Sequence, residues 1–251
     1  MGCFVQFYDM KRLLFFSIFF IFLFSCSNNF LDQHQLQEIQ PDTSLTRELS
    51  SIREKFENEA SNKTFKIQFH GQSIIKCIKE KRIKVILEEY FPKQDFEIIN
   101  TARSGLQVPQ LLPFIEQDID THQADVLFFH AYGGTETGEL EEYFEYLDKN
   151  FHGKIIIFNH HLSYPEDKEH NKKLTDLEDL TSIQIEELTK KYKFGFIDLR
   201  NEWRKFLELN KELQPIDLLR DGIHPNDNGK LVLECILMMH FTKALNQKPI
   251  I

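Results

Sequence analysis

What most constrains this chain is the regular alternation of two hydrophobic patterns. Five short β-type runs, Phe65 to Phe69, Phe96 to Asn100, Val126 to His130, Ile155 to Asn159 and Phe194 to Asp198, are separated by stretches with helical spacing. The helical stretches fall at about Ile74 to Tyr90, Val108 to Asp120, Leu140 to Asn150, Thr175 to Tyr192 and Asn228 to Leu245, the second interrupted by Pro109 and Pro113. Parallel strands need a long crossover, usually a helix, so this repeat predicts a three-layer α/β/α fold around a five-stranded parallel sheet. Right-handed crossovers then bring the loops that follow the strands to one sheet edge, where ligands collect.

At 251 residues, 41% of them apolar and 27% charged, the chain is long enough for one sizeable core. Residues 63–251 are expected to form the main folded domain. Ahead of it, Ser27 to Asp42 is polar and rich in Gln, Asn and Asp, which reads as a tether. Leu45, Leu49, Ile52 and Phe56 follow at spacings that place them on one face of a short helix, so residues 27–62 are read as tether plus helix.

The first 26 residues read differently. Nine of the 24 phenylalanines fall in the first thirty positions, and Lys11 and Arg12 precede the apolar run Leu13 to Phe24. A run of about 12 residues is short for a permanent span of a roughly 30 Å hydrocarbon core and fits a secretory signal. Met10, directly before Lys11 and Arg12, offers a second start with a cleaner positive region. Leu23-Phe24-Ser25-Cys26 resembles the lipobox of bacterial lipoproteins. That resemblance implies export, lipidation at Cys26 and anchoring to a bacterial membrane on its periplasmic or outer side; an uncleaved membrane anchor and a plain secreted form are the alternatives.

A net charge of −9 and the lack of a long basic cluster argue against nucleic acid as a partner. No two cysteines stand two residues apart, and His160 and His161, being adjacent, point apart, so no metal site is expected. Export permits disulfides. With Cys3 and Cys26 set aside, Cys77 and Cys235 remain, either as a bridge or as two buried thiols that never meet.

Chemistry concentrates after the strands. His70-Gly71-Gln72-Ser73 follows the first strand and leads straight into a helical stretch, which sets Ser73 at a helix N-terminus among unpaired N–H groups. Alone, such a serine is as well explained as an N-cap. Near the other end, Arg220-Asp221-Gly222-Ile223-His224-Pro225 supplies an acid and a histidine three residues apart, just before the last helix. An imidazole that serves as base toward a serine needs a carboxylate to orient it.

In combination these residues resemble the SGNH, or GDSL-like, hydrolase family, over roughly residues 64–245. Gly71-Gln72-Ser73 matches the family's first block with Gln in the middle, and Asp221-Gly222-Ile223-His224-Pro225 matches its last. The resemblance implies a flavodoxin-like hydrolase fold and a Ser73–His224–Asp221 triad. It also implies an oxyanion hole from the Ser73 and Gly105 N–H groups with a third donor after the third strand. In that third block Gly133 fits, but Thr135 replaces the family's asparagine. Losing one such donor typically costs about 10²- to 10³-fold in rate. Thr135 would have to serve through its shorter hydroxyl, or another group would; Asn159, at the end of the fourth strand, is one candidate and otherwise a turn residue.

Glu136, Glu139, Glu141 and Glu142 read as the solvated start of a helix, and Trp203 as part of a helix packed on the domain, with a sugar-stacking platform as the lesser alternative. The expected function is a serine esterase without metal or organic cofactor, acting on a small-molecule or glycan ester at the cell surface. Removal of O-acetyl groups from carbohydrate is the first expectation. The alternatives are a lipid-directed esterase or lysophospholipase, and a ligand-binding protein of the same fold with weak or no catalysis.

Overall fold

The computed structural model describes residues 29–58, 63–164 and 168–246. The expected signal segment, Met10 and Cys26 lie outside the described residues. The described residues divide into two compact units, one ending at Gln37 and the other beginning at Glu38. In the first, the described structure is one short helix, α1 (Asn29–Gln33).

The second unit is built on a five-stranded, wholly parallel sheet in the order β2-β1-β3-β4-β5. The strands are β1 (Phe65–His70), β2 (Phe96–Asn100), β3 (Val126–His130), β4 (Lys154–Phe158) and β5 (Gly195–Ile197). This is the predicted three-layer α/β/α architecture. Every residue of β3 is buried, as expected of a central parallel strand covered on both faces. Its alternate side chains feed two cores. Leu127 and Phe129 join Tyr143, Phe144, Ile157 and Ile185 on one face, while Phe128 meets Phe241 edge-on at 5.5 Å on the other.

Helix α10 (Asp227–Asn246) supplies Phe241 and is buried continuously from Leu231 to Thr242. Apolar all round from Leu231 to Leu233 and from Ile236 to Met239, it can lie only between other elements. Its buried Glu234 accepts the N–H of Lys79 at 2.8 Å and pairs with Arg82. That contact explains a departure from expectation. The helix predicted over Ile74 to Tyr90 is two, α4 (Ser73–Lys76) and α5 (Glu80–Tyr90), with the exposed backbone at the break satisfied by Glu234.

Three further differences have local causes. The stretch from Val108, expected to be interrupted at its prolines, is α-helical only over α6 (Val108–Leu111) and continues as a 3₁₀ turn (Leu112–Phe114) and a π-helical turn (Glu116–Asp120), because Pro113 cannot donate to a helical ladder. Asp198, read as the end of a strand, instead caps a helix the strand–helix count omitted, α9 (Leu199–Leu209), by accepting the N–H of Asn201 at 3.1 Å. Finally, the segment around Leu45 and Ile52 forms two short helices, α2 (Thr43–Glu48) and α3 (Ser50–Asn58), which belong to the same compact unit as the sheet. Ser44 and Glu48 accept N–H groups of Phe196 and Ile155, so this segment is tied to β5 and to the start of β4. The remaining long helices are α7 (Glu139–Asn150) and α8 (Lys168–Tyr192).

Candidate active site

The order of strands reverses between β1 and β3, and a doubly wound sheet opens a crevice at that point. Ser73 stands there. Gly71, directly after β1, has φ +140°, and a Cβ on it would come within 2.9 Å of the His130 Cβ on the neighbouring strand. Only glycine allows the two strand ends to approach this closely. Gln72 then donates to the carbonyl of Tyr132 at 3.1 Å, and the Arg103 N–H reaches the Gly71 carbonyl at 2.9 Å. The serine loop is thereby fixed to the loops after both neighbouring strands.

Ser73 Oγ lies 2.9 Å from His224 Nε2, and His224 Nδ1 lies 2.9 Å from Asp221 Oδ2. An ionised carboxylate only accepts, so Nδ1 carries the proton and Nε2 is left to accept from the serine hydroxyl. Asp221 Oδ1 also accepts the N–H groups of Ile223 at 3.2 Å and His224 at 2.7 Å. Partial desolvation works against its charge, but the His224 and Ile223 donors outweigh it and hold the carboxyl down at about 2. The structure thus brings Ser73, His224 and Asp221 into one hydrogen-bonded line.

The loop that carries this acid and base is clamped from β4. His161 Nε2 donates to the Ile223 carbonyl at 2.8 Å, and the Tyr164 N–H to the Gly222 carbonyl. Arg200, buried on α9, ties the clamp together. It donates to the His161 carbonyl at 2.9 Å, to Glu178 at 2.8 Å and to Asp179 and the Thr175 carbonyl. Asn159 is spent in the same framework, donating to Asp198 at 2.8 Å and accepting from the Arg200 N–H at 3.0 Å.

Next to the clamp runs a second polar line. Ser163 Oγ donates to Glu178 at 2.7 Å, so it accepts from His160 Nε2 at 3.1 Å. His160 Nδ1 is then the acceptor, and His130 Nε2 donates to it at 3.3 Å. Burial lowers both histidines, His130 to about 3 and His160 well below the usual range, so both imidazoles are neutral. Each nitrogen of His160 is therefore assigned a fixed role. Trp203 is fully buried with its ring 4.9 Å from that of His161, a packing position rather than a sugar platform.

Ser73 opens into a cavity of about 160 Å³ lined by Gln72, Gly105, Leu106, Gln107, Tyr132, His160 and Ile223 among others. Gly105 is where the sequence places it. Thr135 is not among the lining residues; it lies in the turn between Gly134 and α7. A larger cavity of about 610 Å³ lies far from the triad, at the amino-terminal ends of the strands, lined by Lys154, Asp125, Lys149 and Asp120 among others. Cys77 and Cys235 are not joined in a disulfide, and among the described residues no three His, Cys, Asp or Glu groups converge as metal ligands.

Sequence reading alone missed Gln107, Tyr132 and Arg200. A buried arginine on a helix carries no periodic signal of its own, and the cavity wall depends on which loops meet.

The sheet order and the flanking helices give a doubly wound fold that the chain shares with solved structures of GDSL-like, or SGNH, hydrolase type. Among solved structures, the chain superposes with TM-score 0.60 and 18% identity on a protein from Parabacteroides merdae assigned as a GDSL-like lipase, covering 70% of this chain and 95% of that one. An acetyl xylan esterase, AlAXEase, gives TM-score 0.56 and 18% identity over 69% of this chain and 98% of its own. The acetylxylan esterase of Geobacillus stearothermophilus gives 0.56 and 17% over 74% and 96%. No protein-family model and no curated protein sequence matches the chain.

Proposed function

We propose that the chain is a serine esterase that removes short acyl groups, acetyl above all, from carbohydrate. The observation that carries this reading is the unbroken line Ser73–His224–Asp221 at the switch point of the sheet. Ser73 Oγ attacks the ester carbonyl carbon while its proton passes to His224 Nε2. The tetrahedral intermediate collapses, and His224 returns that proton to the departing sugar oxygen. Water then attacks the acyl-serine, giving its proton to His224, and collapse releases the carboxylic acid and restores Ser73. Asp221 keeps the imidazole in the required tautomer and offsets the imidazolium charge. The Ser73 and Gly105 N–H groups hold the developing oxyanion.

Two observations support a short acyl group. The cavity at Ser73, about 160 Å³, is smaller than the roughly 300–1,000 Å³ of typical small-molecule pockets. The similar structures named above include acetylxylan esterases. Catalytic mutants of the Geobacillus stearothermophilus enzyme replace a serine, an aspartate and a histidine, the last two three positions apart, as Asp221 and His224 are. We also propose that the protein is exported and held to a bacterial membrane through Cys26, which would place a glycan ester within its reach.

The test is hydrolysis of p-nitrophenyl acetate, a long-chain p-nitrophenyl ester and acetylated xylan by the wild type and by Ser73→Ala. The expected result is Ser73-dependent release, fastest with acetyl esters. Preference for the long chain would favour a lipid-directed esterase, and equal rates for both proteins would favour a ligand-binding protein of the same fold.

A further inference from the structure

We propose that the side-chain amide of Gln107 supplies the third oxyanion donor, from the loop after β2 rather than from the loop after β3. The inference rests on the esterase reading and adds a residue to it.

The loop after β3 cannot readily present Thr135 to Ser73. Gly133 and Gly134 both adopt left-handed φ, +81° and +75°, and the Gly134 carbonyl accepts the N–H of Leu140 at 3.0 Å. That bond and the two glycine turns commit the loop to α7, and Thr135 falls outside the cavity lining. What lies over this loop is Gln107. A Cβ on Gly133 would stand 2.7 Å from Gln107 Oε1 and 3.1 Å from Gln107 Cβ. The glycine therefore leaves the space that the glutamine side chain occupies.

Gln107 is also held on both sides. Its own N–H donates to Gln110 Oε1 at 2.9 Å, and the next N–H, that of Val108, donates to the Tyr132 carbonyl at 3.2 Å. Gly105, Leu106 and Gln107 all line the cavity that Ser73 opens into. One short loop thus brings a backbone N–H and a carboxamide to the same cavity, and the carboxamide offers the donor chemistry of an asparagine on a stem one methylene longer. In the tetrahedral intermediate, the N–H groups of Ser73 and Gly105 and the Nε2–H of Gln107 share the negative oxygen.

The experiment measures kcat and KM on p-nitrophenyl acetate, and the rate of serine labelling by a fluorophosphonate, for the wild type, Gln107→Leu, Gln107→Glu, Thr135→Ala and Ser73→Ala. Gln107→Leu is expected to lower kcat about 10²-fold with KM within about 3-fold, and to slow labelling in parallel. Gln107→Glu, which keeps size and loses the donor, is expected to fall at least as far. Gln107 is exposed, so both variants should melt with the wild type. A Gln107→Leu enzyme within about 3-fold of wild type, or a larger loss in Thr135→Ala than in Gln107→Leu, overturns the proposal while leaving a Ser73-dependent esterase in place. Equal rates for wild type and Ser73→Ala remove the esterase reading and this inference with it.

Discussion

His161, on the loop after β4, donates its Nε2–H to the carbonyl of Ile223, which lies between the acid and the base of the triad, at 2.8 Å. The imidazole is fully buried, and burial lowers it to about 4, so it stays a neutral, single-donor group across the working pH range. It holds the loop that aims His224 at Ser73. His161→Phe keeps the ring volume and removes the donor. We expect kcat to fall about 10- to 100-fold, since small misplacements of a reacting group carry such costs, with KM little changed. His161→Gln, which retains an N–H, should recover part of the loss. Steady-state kinetics on p-nitrophenyl acetate decide it; equal kcat in wild type and His161→Phe would show that the loop is fixed without this bond.

Asp221 is expected to act as an ionised orienter. Asp221→Asn should lower kcat by about 10²- to 10⁴-fold through the wrong imidazole tautomer. Because hydrogen bonds hold its carboxyl at about 2, below the ordinary aspartate value, its contribution to folding is present at neutral pH and is lost only as pH falls from about 4 through 2. An acid limb of the rate profile above about pH 4 must then come from another group. If Asp221→Asn abolished such a limb, the assignment of the low value would be wrong.

The strands were legible because each is a short β-branched or aromatic run between turn signals, and Ser73, Asp221 and His224 because they flank those runs at one sheet edge. The break between α4 and α5 was not legible. It depends on Glu234, 155 positions further on, reaching back to Lys79. The helix Leu199–Leu209 did have a signal, Asp198 followed by Leu199, Trp203 and Phe206 at spacings of four and three, obscured by extending the preceding strand too far. Gln107 was legible at most as the N-cap of α6, paired with Gln110; its place at the cavity follows from the space that Gly133 leaves in a different loop.

Arg200 and Glu178 form a buried ion pair, 1% and 3% exposed at the side chain. Arg200→Met leaves a buried carboxylate without its cation and should cost about 3–5 kcal/mol of stability. Removing both charges in Arg200→Met/Glu178→Leu should restore much of it. Urea denaturation of the three proteins checks this; a double variant no more stable than the single one would mean that the pair is not the coupled unit described.

Glu234 gives a pH signature in stability. Burial raises its carboxyl to about 7 despite the Lys79 N–H and Arg82, so the folded chain binds this proton more tightly than the unfolded chain, whose value is about 4.3. Stability from this group is therefore full below about pH 4.3 and declines as pH rises through about 7. Denaturation midpoints at pH 5 and pH 8 should differ less in Glu234→Gln than in the wild type. An unchanged difference would place the titration elsewhere.

The most direct test of the account is to quench the reaction with p-nitrophenyl acetate at acid pH within the first turnover and map the modified peptide by mass spectrometry. The account predicts one acetyl group on Ser73, which is absent from Ser73→Ala and accumulates in His224→Ala only at a greatly reduced rate. Hydrolysis with no acetylation of Ser73 at any quench time, or hydrolysis by Ser73→Ala at the wild-type rate, would contradict it.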